Sequence, residues 1–218
     1  GIEDDTDYFN PFSKFLLSKI LAVPTFLKKE LNSDTFYFQT FEHLLMKDNL
    51  SFISVWSPTF FLQLDDFLSN RKEQLIYSLK KSFGSNNKRL VYLEKIITTS
   101  YTWKDVWPDL NVLSCWCDAQ SSLWIDKVQA AIGDVYIQGK GLLSTEGICS
   151  VPLLKDRSPI LTVSSHFYEF RALDSAEIYL ANELKNNEIY EIIITNGGGL
   201  YRYASGDLIQ IDGFYGQA

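Results

Sequence analysis

The stretch from residue 110 to 139 constrains the fold more than any other part of this chain. LNVLSCW (110–116) is a short apolar run of strand type. SSLWIDKVQAAIG has helical spacing and closes on Gly133, and DVYIQG (134–139) is a second strand. Strand, helix and strand within about 30 residues make a βαβ unit, with parallel strands and a right-handed crossover. An α/β class follows. GKGLLSTEG (139–147) then leaves the carboxyl end of the second strand, where open α/β sheets bind their ligands.

The flanking regions differ from each other. The first hundred residues read as mostly helical. FSKFLLSKILA spaces Phe12, Phe15, Leu16 and Ile20 for a helix that Pro24 interrupts. FYFQTFEHLLM puts Phe38, Phe41 and Leu45 on one side. FISVW (52–56) is a short strand, after which Ser57 as N-cap and Pro58 at the first helical position start the helix TFFLQLDDFL. Two further amphipathic helices are expected around 71–82 and 88–99, joined by GSNN. The C-terminal part is β-rich: ILTVSSHFYEFRAL, EIYEIIIT, GLYRY and DLIQIDGF alternate as antiparallel strands, with NGGG (196–199) as a hairpin turn. Leu200–Tyr203 and Leu208–Ile211 read as two strands with a turn at Gly206. The expected organisation is a mostly helical part over 1–106 with one short strand, and an α/β part over 107–218.

Charge and composition exclude several functions. A net charge of −7 leaves no basic stripe for nucleic acid. No apolar run approaches the roughly 18 residues of a membrane span, and GIEDDTD at the start has no apolar leader segment. Three cysteines (Cys115, Cys117, Cys149) cannot all pair, and the two histidines, His43 and His166, are far apart, so neither a disulfide framework nor a zinc site is expected. A reducing cytoplasm fits best. KSFGSNNKRL frames a loop with Gly84 and Lys88, but it joins two helices instead of following a strand, so it reads as a solvated connector.

Two polar constellations remain: Ser144-Thr145-Glu146-Gly147, and Tyr201-Arg202-Tyr203 with Gly206-Asp207. Taken singly, the first suits a helix N-cap with a first-turn acid and the second suits a turn. Together and in this order, about sixty residues apart, they resemble the adenylate-forming enzyme superfamily. More closely, the chain is similar to the bacterial branch of the auxin-responsive acyl acid–amido synthetase family. The resemblance is carried by SVWSP (54–58), WPDLNVLSCW (107–116), QGKGLLSTEG (138–147), SSHFYEF (164–170), YEIIITNGGGLYRYASGD (190–207) and GFYGQA (213–218).

The resemblance implies the central part of an adenylate-forming large domain: a mixed sheet with a parallel βαβ unit, flanking helices and a C-terminal antiparallel region. It implies ATP and Mg²⁺, and a reaction in which a small carboxylic acid becomes an acyl-adenylate whose acyl group passes to an amine or amino acid. Coenzyme A as acceptor, or a non-catalytic nucleotide-binding scaffold, are the alternatives. By the same resemblance Glu146 holds Mg²⁺, Thr145 donates to the α-phosphate, and Ser144 and Gly147 complete that loop. Asp207 takes the ribose hydroxyls, and Gly141 to Leu143 border the adenine. Many relatives carry an aromatic residue where this chain has Leu142, which moves base stacking toward Tyr168, or toward Phe167 beside it. Arg202 either orders the Asp207 segment or meets phosphate. The family's Ser/Thr/Gly-rich phosphate loop and its small C-terminal domain with an assisting lysine have no counterpart in these residues, so an internal fragment is expected. Trp56, Phe60, Phe61 and Trp116 could line an acyl pocket, although core packing is the simpler reading of each.

Overall fold

The computed structural model describes residues 10, 12, 20–24, 27, 30–153 and 158–215. The helix expected from Phe12 to Pro24 lies mostly outside the described residues, as does the end of GFYGQA. The chain forms two compact units, one of residues 1–115 and 119–137, the other of residues 116–118 and 138–218.

In the first unit, α1 (Ser33–Leu45) begins where the Asn32 side chain accepts the Thr35 N–H, and its face of Phe41 and Leu45 is fully buried. β1 (Phe52–Ser54) leads into α2 (Pro58–Phe83). The Ser57 side chain caps α2 by accepting the Thr59 N–H, with Pro58 in the first turn, as the residue types dictate. One helix stands where the sequence suggested a break near residue 71. Helical apolar spacing continues through the polar stretch: Phe61, Leu64, Leu68, Leu75, Ile76 and Leu79 are all buried, so Leu68 and Leu75, seven apart, carry the apolar stripe past Asn70 and Arg71. No glycine or proline lies between them to stop it. α2 ends before Gly84, and Asn87 caps α3 (Lys88–Ile97) by accepting the N–H groups of Arg89 and Leu90.

α4 (Trp103–Val106) opens with a capping box between Thr102 and Asp105. β2 (Val112–Cys115), a 3₁₀ segment (Ala119–Trp124), α5 (Ile125–Ile132) and β3 (Tyr136–Gly139) then form the expected strand–helix–strand unit. β1 pairs in parallel with β2, Phe52 opposite Val112 and Ser54 opposite Ser114. β3 lies on the other side of β2, giving a parallel sheet of order β1-β2-β3. The core here is aromatic at its centre: Phe61 and Trp103 are 4.6 Å apart between ring centroids, and Trp103 and Trp107 5.2 Å. Phe61 is thus core, and Phe60 packs against it from the edge. Trp56 and Trp116 are not core residues; each keeps more than a third of its surface open.

The second unit is a four-stranded antiparallel sheet with a small ribbon. β4 (Ser150–Val151) pairs with β5 (Ile160–Leu161). β6 (Phe167–Ala172), β7 (Ile178–Tyr179), β8 (Ile189–Thr195) and β9 (Tyr203–Gln210) follow in the order β7-β6-β8-β9. Period-two alternation buries Tyr168, Phe170, Tyr190, Ile192 and Ile194 on one face. The expected α/β architecture, with a parallel βαβ unit and a C-terminal antiparallel region, is the one observed. Among the described residues no helix is long and apolar enough to cross a membrane.

Candidate active site

The 142–150 segment is a tight hairpin. Leu143 and Ile148 form an antiparallel bridge, the Ser144 N–H donates to the Gly147 carbonyl at 3.2 Å, and the Cys149 N–H donates to the Leu142 carbonyl at 3.0 Å. Thr145 and Glu146 are therefore the two residues of the tip. No helix starts here, so the N-cap alternative for Ser-Thr-Glu falls away. The tip is anchored from below at Gly147, where a Cβ would lie 2.5 Å from His166 Nε2, so no larger residue fits without moving the imidazole. Leu142 donates its N–H to Ser150 Oγ at 2.8 Å and packs against the second core, while Gly141 abuts the Ser150 carbonyl.

Hydroxyl groups surround the Glu146 carboxyl. Thr145 Oγ1 donates to Oε2 at 3.1 Å. Hydrogen bonding, with the Ser144 hydroxyl first, then the residue's own backbone, Thr145 and Tyr203, holds this carboxyl below its ordinary value of 4.5. Tyr203, the last of these, is the first residue of β9.

The turn expected at Gly206 is absent. Residues 203–210 are one strand, and the irregularity is a bulge. Ile193 opposes Ala204 and Glu191 opposes Leu208, so Ile192 alone faces Ser205, Gly206 and Asp207. Gly206 has φ +81°, a conformation that an L side chain resists, which is why glycine sits there. Ser205 Oγ fills the broken ladder, accepting the Asp207 N–H at 3.1 Å and reaching the Ile192 carbonyl at 3.4 Å. The bulge thus re-aims Asp207 within a continuous strand. The Cys149 thiol, 1 % exposed, is pushed up by burial first, then by the charge of Asp207, with Glu146 adding to it. Ser144, Thr145 and Glu146 share the hairpin tip, which Asn196 ties to the end of β8, the strand paired with β9 and its Asp207.

Two expected site residues are held elsewhere. Tyr168 is 5 % exposed, and its hydroxyl is shared with Thr162 Oγ1 (2.9 Å) and Ser165 Oγ (3.0 Å) and donates to the Ile148 carbonyl (3.2 Å). Its ring offers no open face for a purine. Phe167 is exposed, but strand alternation turns it to the opposite face. Arg202 pairs through Nε with Glu169 Oε2 at 2.9 Å, and its backbone, at φ +48°, donates its N–H to Thr195 Oγ1. This is an ordering contact. Sequence reasoning assigned no role to Tyr203 or Asn196. Asn196 donates from Nδ2 to the Glu146 carbonyl at 2.8 Å. An asparagine heading a glycine turn is a signal of side-chain-to-backbone bonding, but its partner 50 residues away is invisible in the sequence.

Residues 159–218, which include SSHFYEF and YRYASGD, match the model of the GH3 family central domain. That segment is similar to the GH3 central domain. No curated protein matches the chain. Among solved structures, a GH3.15 acyl acid amido synthetase shares the fold with a TM-score of 0.76 at 20 % identity, covering 93 % of this chain and 41 % of that one. A second, AtGH3.15 acyl acid amido synthetase in complex with 2,4-DB, gives 0.73 at 20 % identity over 84 % and 37 %. The family resemblance drawn from the sequence is borne out. The chain spans about two fifths of the length of these GH3 structures.

Proposed function

We propose that this chain is the nucleotide-binding core of an ATP-dependent ligase that adenylates a small carboxylic acid and passes the acyl group to an amine or amino acid. One observation carries the reading: a hydroxyl-bearing hairpin tip with Glu146 is tied by Asn196 to the end of β8, the strand whose neighbour β9 bears Asp207 at its bulge. The two solved structures that share the fold are acyl acid amido synthetases, which agrees with that chemistry.

The residues fit the groups they would hold. Mg²⁺ is commonly bound by one or two carboxylates together with substrate phosphates. Glu146 supplies one such carboxylate, solvent-accessible and kept ionised by its hydroxyl neighbours. Substrate phosphates would supply the remaining ligands. Bound there, Mg²⁺ would neutralise phosphate charge as the bond to pyrophosphate breaks. Thr145, on the same tip, would turn its hydroxyl to the α-phosphate. Asp207, an acceptor-only carboxylate, suits the two ribose hydroxyls. Gly141 to Leu143 would border the adenine, and Arg202 serves by ordering the strand through Glu169. The enclosed Tyr168 ring is withdrawn from base stacking in this reading. The substrate carboxylate would attack the α-phosphorus and release pyrophosphate; the amine would then attack the acyl carbon and release AMP. We place the activity in the cytoplasm, where three free thiols persist.

The test uses the full-length protein. Pyrophosphate release should require a carboxylic acid and should fall at least about a hundredfold in Glu146→Ala, the scale for losing a metal or charge-stabilising group. No release with any acid in a broad panel would refute the reading. Product analysis, amide against thioester, then identifies the acceptor.

A further inference from the structure

The Asn196 side chain makes three hydrogen bonds. Its Oδ1 accepts from the N–H groups of Gly198 at 2.9 Å and Leu200 at 3.2 Å, and its Nδ2 donates to the Glu146 carbonyl at 2.8 Å. These partners fix the amide orientation, because a flipped group would set N–H against N–H at the turn and oxygen against oxygen at Glu146. The turn uses only the oxygen. An aspartate would serve the N–H groups of Gly198 and Leu200 equally well. The nitrogen does something the turn does not require: it ties the backbone of Glu146 to the end of β8. The backbone of Glu146 is thereby referenced to the strand pair that carries Asp207.

We propose that Asn196 is the positioning residue for Glu146, clamping the hairpin tip to the β8–β9 turn. The functional consequence rests on the adenylation reading, in which Glu146 serves the metal and phosphates; the clamp itself does not. In the full-length protein, Asn196→Asp keeps both acceptors for the turn and replaces the donor with a repelling oxygen. Hydrogen–deuterium exchange should then show amides of residues 143–148 exchanging about fivefold faster, the worth of one ordinary hydrogen bond, while residues 196–200 stay protected. The half-saturating Mg²⁺ concentration for pyrophosphate release should rise by about the same factor with kcat changed less than about twofold. Asn196→Ala should loosen both segments. Unchanged protection of 143–148 in Asn196→Asp overturns the clamp. Faster exchange there, in a protein whose wild type releases no pyrophosphate with any acid, upholds the clamp and removes the adenylation reading instead.

Discussion

The two units of this chain solve different problems with different materials. Among the described residues the first unit buries 19 core side chains, drawn from helices and the parallel sheet and centred on Phe61, Trp103 and Trp107. Six buried side chains form the second core, one of them a cysteine and two of them tyrosines. Buried polar groups in the first unit serve structure: Arg89 holds the carbonyls of Leu45 and Val106, and Trp103 Nε1 donates to Asp65. In the second unit, the polar residues Thr145, Glu146 and Asp207 all keep part of their surface accessible. A dense apolar core tolerates few polar atoms without partners, whereas a thin sheet edge can present them. The stability of the first unit and the chemistry of the second should therefore respond to separate substitutions.

The sharpest break in that comparison is Phe61→Ala. It empties a fully buried site against Trp103 and should cost about 4 kcal/mol in chemical denaturation, because the surrounding core cannot fully collapse. A loss under about 1 kcal/mol would mean that the aromatic centre is not where the first unit is held. Tyr168→Phe should cost about 1 kcal/mol, since the Thr162 and Ser165 hydroxyls keep each other as partners at 2.8 Å. It should also leave nucleotide affinity unchanged; a weakened affinity would return this tyrosine to the site. Smaller again is Glu169→Gln, which removes half of a pair whose arginine is half-exposed: about 0.5 kcal/mol, read by the same denaturation. Least of all in stability, Ser144→Ala should shift chiefly the titration of Glu146. A depressed carboxyl is fully ionised above its ordinary 4.5 and loses its charge only as pH falls through the lowered value. Removing the leading donor should move that midpoint up toward 4.5 in an NMR titration, and the small stabilisation it lends, present above 4.5, is lost at neutral pH as well.

The sequence made some of this legible because local chemistry decided it. Ser57-Pro58 starts α2, the helix expected after the GSNN connector is α3, and the strand–helix–strand rhythm of 110–139 becomes β2, α5 and β3. What stayed hidden was decided by partners distant in sequence. The polar run at Asn70 reads as a break, yet the buried stripe from Leu68 to Leu75 carries α2 through it. Gly206 reads as a turn, yet Ile192 on the neighbouring strand makes it a bulge. Tyr168 reads as an open aromatic, and only the register of β6 with β8 shows that it faces the core. The pairing of STEG with YRYASGD was visible as a family resemblance; the Tyr203 and Asn196 contacts that join them were not.

We propose that Glu146 and Asp207 grip one nucleotide. The most direct measurement is calorimetric titration of the full-length protein with a non-hydrolysable ATP analogue and with adenosine, at low and high Mg²⁺. Glu146→Ala should bind the analogue without the wild-type dependence on Mg²⁺ while leaving adenosine unaffected. Asp207→Ala should weaken both ligands alike, by about tenfold for the loss of charge-assisted bonds to the ribose. If both variants bind both ligands as the wild type does, the two acids do not serve a nucleotide and the account is wrong.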